Sequence, residues 1–81
     1  MTKEHKILLY ATRVCPWCHK TAEFFKENKI KFKSIYVDKD HKAAQEMIKK
    51  SGQMGVPVID IDGQIIVGYD VDSIKKALGM K

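Results

Sequence analysis

Cysteine is scarce in this sequence: only two stand among 81 residues. A disulfide-stapled secreted scaffold uses more. A closed zinc site needs four ligands, and there is no second cysteine pair. His5, His19 and His41 do not complete a Cys-x-x-Cys…His-x-x-x-His pattern. Proline is equally sparse, with two residues, and the five glycines are scattered, so no linker, repeat or low-complexity stretch is present. Long apolar runs are missing too. The N-terminal one, Ile7–Tyr10, follows a polar start and is far too short for a signal-peptide core or a membrane span. A cytoplasmic protein is the expectation. Arginine occurs once, as Arg13, among fifteen basic residues. The lysines are spread along the chain with acids between them, whereas a nucleic-acid surface clusters its basic residues and interleaves aromatics. The net charge of +5 therefore reads as a solvated basic surface with no nucleic-acid role, biased toward acidic protein partners by long-range steering.

The two cysteines lie together in Arg13-Val14-Cys15-Pro16-Trp17-Cys18-His19-Lys20. A short apolar strand precedes them and a helical pattern follows, which is the setting of a dithiol redox site. A helix begins with unpaired amide N–H groups and a partial positive charge, and a sulfur placed there is stabilised as thiolate, the nucleophilic form. Pro16 suits the first helical position, where its fixed φ is preset and its missing N–H is not needed. Cys15 then falls at or just before the N-cap, exposed, and Cys18 lies one turn in on the same face. Cys15 is the expected nucleophile and Cys18 the resolving thiol, with Trp17 an exposed flat surface beside the sulfur. A structural disulfide closing so short a loop would add little stability.

The remaining order follows from periodicity. Lys6–Tyr10 reads as a buried central strand. A helix over Pro16–Asn28 carries Cys18, Ala22 and Phe25 on its core face. Phe32–Val37 has the β-branched and aromatic residues of a strand. A helix over His41–Lys50 follows, with Ala43, Met47, Ala44 and Ile48 as its apolar stripe and Ser51-Gly52 as its stop. Val58–Ile61 and Gln64–Val67 form a hairpin about Asp62-Gly63, a two-residue turn of the I′ kind. A last helix carries Val71, Ile74 and Leu78, with Asp70 as its N-cap and Gly79 as its end.

Cys15-Pro16-Trp17-Cys18, Val56-Pro57 and Gly68-Tyr69-Asp70, in this order of elements, resemble the glutaredoxins of the thioredoxin superfamily. The resemblance covers nearly the whole chain and implies a single α/β domain over residues 1–81. Its fold would be the minimal thioredoxin fold, β-α-β-α-β-β-α, with a four-stranded mixed sheet flanked by three helices. It implies a cis bond between Val56 and Pro57, facing the nucleophile and presenting the Val56 backbone to an extended substrate segment. It implies substrate contacts from Val56 and Pro57, which align the substrate backbone, and from Tyr10, Arg13, Trp17, Gly68, Tyr69 and Asp70, which shape the surface around it.

The activity implied is thiol–disulfide exchange by a monomer that holds no bound cofactor, acting on disulfide-containing proteins or glutathione mixed disulfides. Some departures from the family bear on the reductant. Val67 stands where many members have the first of two glycines, Thr12 stands where many have lysine, and Val71 separates Asp70 from Asp72. Arg13 is placed to replace the lysine charge. Two electron sources stay open: glutathione, or NADPH through thioredoxin reductase, as in the branch that serves ribonucleotide reductase. The competing class is an iron–sulfur or metal carrier using Cys15 together with glutathione, against which Pro16 counts, since cluster-binding members more often have a small residue there. A disulfide-forming oxidant is a third reading, disfavoured by the lack of an export signal.

Overall fold

The computed structural model describes residues 6–79; the polar start, with His5, lies outside the described residues. The order is β1 (Ile7–Ala11), α1 (Pro16–Glu27), β2 (Lys33–Tyr36), α2 (His41–Ser51), β3 (Val58–Ile61), β4 (Gln64–Val67) and α3 (Val71–Leu78). The strands form one mixed sheet in the order β2-β1-β3-β4. β1 pairs in parallel with β2, Tyr10 opposite Ile35, and antiparallel with β3, Tyr10 opposite Val58. β3 and β4 form the expected hairpin. Asp62 and Gly63 both take positive φ, 53° and 93°, which is the backbone of a type I′ turn and the reason glycine stands second.

Helices cover both faces of this sheet, which explains why the central strand β1 reads as an unbroken apolar run rather than an alternation. Side chains still alternate by position. Ile7, Leu9, Ala11, Ile59 and Ile66 pack with Cys18 and Phe25 of α1 and Ile74 of α3. Tyr10 and Val58 pack on the other side with Ala43 and Met47 of α2. The site helix α1 is thus seated on the central strands β1 and β3, and the chain leaving β1 enters it directly.

Several boundaries differ from the sequence reading, each for a visible reason. β1 runs one residue further, because Ala11 pairs with Tyr36 and its carbonyl accepts from the Val37 N–H at 2.9 Å. Phe32 leaves β2 to pack its ring 5.1 Å from that of Phe25. α1 stops at Glu27, since Asn28 folds back and donates its side-chain amide to the Phe24 carbonyl at 2.8 Å. The stripe on α2 is narrower than expected: Ala43 and Met47 are buried while Ile48 is exposed.

Candidate active site

Cys15 is the N-cap of α1 and Pro16 its first residue. The backbone at Cys15 is extended, φ −89° and ψ 112°, so its side chain turns back over the helix start as a serine or aspartate cap would. The Cys15 sulfur accepts the Cys18 N–H at 3.3 Å. An amide that would otherwise be orphaned at the helix start is therefore aimed at this sulfur. Cys15 is partly exposed, Cys18 is buried, and both thiols are free. Burial pushes the Cys18 thiol up to about 12, its hydrogen bond to Cys15 and the charge there adding to the rise and the Thr12 backbone opposing it. One sulfur is open to a partner and the other is held as a protonated reserve beneath it.

A second loop comes up to the same sulfur. The Val56 carbonyl lies 4.0 Å from Cys15 Sγ, and the Val56–Pro57 bond is cis, as the resemblance implied. The Gln53 side chain holds this loop from inside: its oxygen accepts the Gly55 N–H at 2.6 Å and its amide donates to the Gly55 carbonyl at 2.9 Å. A Cβ at position 55 would sit 2.6 Å from that Gln53 oxygen, so any larger residue would make the Gln53 side chain swing away from this loop. Gly68, at φ +84°, donates its N–H to the Pro57 carbonyl at 2.8 Å and so ties the third segment to the second.

The third segment brings Tyr69 against α1. Its ring centroid is 6.0 Å from that of Trp17 and 6.5 Å from that of Phe24. Trp17 remains 55% exposed, with the Lys20 ammonium 4.9 Å from the centre of its ring. Asp70 caps α3, one oxygen accepting the Ser73 N–H and the other the Ser73 hydroxyl. Those bonds, the hydroxyl's first, hold its carboxyl below the usual range. The structure therefore gathers Cys15, Pro16, Trp17, Cys18, Val56, Pro57, Gly68 and Tyr69 around one helix start, with Asp70 adjoining.

Tyr10 and Arg13 lie differently from the expectation. Tyr10 is wholly buried in the cluster under α2, on the face of the sheet away from α1, and its hydroxyl accepts from Lys50 at 2.8 Å. It does not shape the surface beside the sulfur. The cause is register: within β1, Leu9 and Ala11 face α1, and an odd step puts Tyr10 on the other side. Arg13 is exposed on the active-site loop, but its Nε donates to Asp38 at 3.1 Å, so its charge is already paired. Burial raises the Asp38 carboxyl, yet the Arg13 hydrogen bond and charge together bring it below its ordinary value. Asp38, Gln53, Phe24 and Lys20 were not foreseen as neighbours of the site. Asp38 and Gln53 lie far from the cysteines in sequence, while Lys20 and Phe24 carried only the signals of a solvated face and a core flank. Among the described residues no three His, Cys, Asp or Glu side chains assemble as a metal-holding group, and no helix is long and apolar enough to cross a membrane.

The glutaredoxin family model matches residues 7–66. The chain is 47% identical over 72 residues to the glutaredoxin-like 8.6 kDa protein of the rubredoxin operon of Clostridium pasteurianum, covering 89% of this chain and 96% of that protein. It is 36% identical over 62 residues to glutaredoxin 3 of Escherichia coli K12, covering 76% of this chain and 75% of the relative. Among solved structures, NrdH-redoxin of Escherichia coli, a glutaredoxin-like protein with a thioredoxin-like activity profile, superimposes with a TM-score of 0.79 at 25% identity, over 88% of this chain and 92% of that one.

Proposed function

Since the chain belongs to the glutaredoxin family, and with it to the thiol–disulfide redoxins, we propose that it is a dithiol reductase of disulfides in proteins and of glutathione mixed disulfides. The observation that carries the proposal is the pairing of a part-exposed Cys15 at the helix N-cap with a buried Cys18 whose N–H reaches its sulfur at 3.3 Å. In the reaction the Cys15 thiolate attacks one sulfur of the substrate disulfide. The other sulfur leaves as a thiolate and takes up a proton. Cys18 then gives up its proton and attacks the Cys15 sulfur, expelling the second substrate thiol and closing the Cys15–Cys18 disulfide. Two electrons pass to the substrate, and a thiol reductant must return them.

The role proposed for the second loop is alignment. The Val56 backbone, beside the sulfur, is placed to pair with an extended substrate segment, and Trp17 with Tyr69 supplies an apolar wall. The reductant is glutathione, or NADPH through thioredoxin reductase. The likeness to NrdH-redoxin supports the second, and that likeness brings ribonucleotide reductase into the range of protein targets. The reading extends to a cytoplasmic monomer.

Turnover of a small disulfide with glutathione and its reductase, set beside turnover with NADPH and thioredoxin reductase, separates the two sources. In the productive system Cys15→Ser should abolish disulfide reduction. Cys18→Ser should accumulate mixed disulfides with protein substrates. Full activity in Cys15→Ser would overturn the assignment.

A further inference from the structure

The basic residue nearest to Cys15 in the sequence is held in an ion pair. Arg13, two residues before the nucleophile, is the one arginine present. Its guanidinium is bound through Nε to Asp38 at 3.1 Å, the side chains being 58% and 29% exposed. The partner is brought there by the sheet: Ala11 pairs with Tyr36, and the Val37 N–H donates to Ala11, which lays Asp38 alongside the loop leaving β1. Lys20 is drawn over the face of Trp17. Asp70 has both oxygens committed to Ser73. Two apolar side chains of the active-site loop are open beside them: Val14 is 86% exposed and Trp17 55%.

On the premise that the protein reduces disulfides as argued above, we propose that Asp38 is a specificity residue. By pairing with Arg13 it weakens the pull that this cation, two residues before the nucleophile, would exert on carboxylate-bearing disulfides, and so favours neutral and apolar disulfide segments. The guanidinium reaches Asp38 through Nε, and an exposed pair of this kind carries a modest, salt-screened energy. Asp38 therefore acts on selectivity among substrates and not on the exchange chemistry itself.

Three small disulfides of different charge test this in the full-length reduced protein: dithiodipropionate (anionic), bis(hydroxyethyl) disulfide (neutral) and cystamine (cationic). Each is mixed with the protein at low ionic strength, and the second-order rate of Cys15 attack is followed by acid quench and mass measurement. Asp38→Asn keeps the size and an acceptor oxygen for the loop while removing the charge. It should speed attack on dithiodipropionate by about two- to five-fold, leave the neutral disulfide unchanged and slow cystamine. The gain should fade at high salt and vanish in the Arg13→Gln, Asp38→Asn double variant. If the three rates shift together, or the anionic rate does not move, Asp38 is only a brace for the loop and the inference fails while the redox assignment stands. If the unaltered protein attacks none of the three, the redox assignment fails and the inference falls with it.

Discussion

The backbone N–H of Cys18 donates to the sulfur of Cys15 at 3.3 Å, so the two cysteines are joined through the helix start before any covalent bond forms between them. The partners differ sharply in access. Cys15 is partly exposed, whereas Cys18 is 3% exposed with its thiol pushed up to about 12, burial being the main cause. At neutral pH a thiol held there stays protonated.

Alkylation should therefore be ordered. A limiting amount of iodoacetamide near neutral pH is expected to modify Cys15 first, with Cys18 labelled at an appreciable rate only after the chain is unfolded. Peptide mass mapping reads the order. Equal labelling of both cysteines in the folded protein would mean that Cys18 is not held protonated under the helix.

The buried charge under α2 gives a stability prediction. Asp60, 8% exposed in the central strand β3, accepts Lys50 at 2.9 Å and the Gly63 N–H at 2.8 Å, and Lys50 also donates to Tyr10. The Tyr10 hydroxyl first, then Asp60, hold the Lys50 ammonium charged to higher pH than a free lysine. A pKa raised by folding stabilises fully below the unfolded value of 10.5, and that contribution is lost as pH rises through the higher folded value. Urea midpoints should accordingly fall in strongly alkaline solution. Cys18 is raised in the same sense and adds to the fall, so comparison with Lys50→Met isolates the lysine. That variant keeps much of the apolar stem but leaves Asp60 and Tyr10 short of a donor, at a cost of about 1–3 kcal/mol at neutral pH. It should also lose its share of the alkaline decline. A variant as stable as the parent would show that the triad contributes nothing net.

These residues also mark where the sequence stops being readable. The strand, turn and helix around Cys15 were legible because local rules set them: proline at the first helical position, a thiol at the cap, a positive-φ pair at Asp62-Gly63. The element order was legible because apolar runs and stops alternate clearly. The face on which Tyr10 lies was not, since an unbroken apolar run has no polar residues to mark its outer side. Arg13 with Asp38, and Lys50 with Tyr10, were invisible for another reason. Their separations are 25 and 40 residues, and the contacts exist only once β1 has paired with β2 and α2 has packed on the sheet. Tertiary pairing decided which charges near the site are free.

Tyr69 braces the exposed tryptophan. Its ring lies 6.0 Å from Trp17 and 6.5 Å from Phe24, with Phe24 in turn 5.9 Å from Phe25. An aromatic pair of this kind is worth about 0.5–1.5 kcal/mol beyond its buried area. Tyr69→Ala should lower the urea midpoint accordingly and loosen Trp17. Since Trp17 is the only tryptophan, its fluorescence anisotropy reports the loosening directly. Tyr69→Phe should retain both properties, because the contacts are between rings. Loss in the phenylalanine variant as well would point to a role for the hydroxyl instead.

The resolving step should be governed by how readily Cys18 gives up its proton. In the reduced protein the rise to about 12 has three sources: burial, the hydrogen bond to Cys15 and the charge at Cys15, with the Thr12 backbone opposing them. Linking Cys15 to a substrate sulfur removes the second and third, because that sulfur is then neutral and shares no proton. Burial remains, so ionisation of Cys18 still limits the reaction at neutrality. With thionitrobenzoate as the leaving group on Cys15, its coloured release should quicken by about tenfold per pH unit across neutral and mildly alkaline solution. Cys18→Ser should release none. A rate independent of pH over that range would mean that forming the mixed disulfide alone suffices to ionise Cys18, and that burial is not what holds the second thiol back.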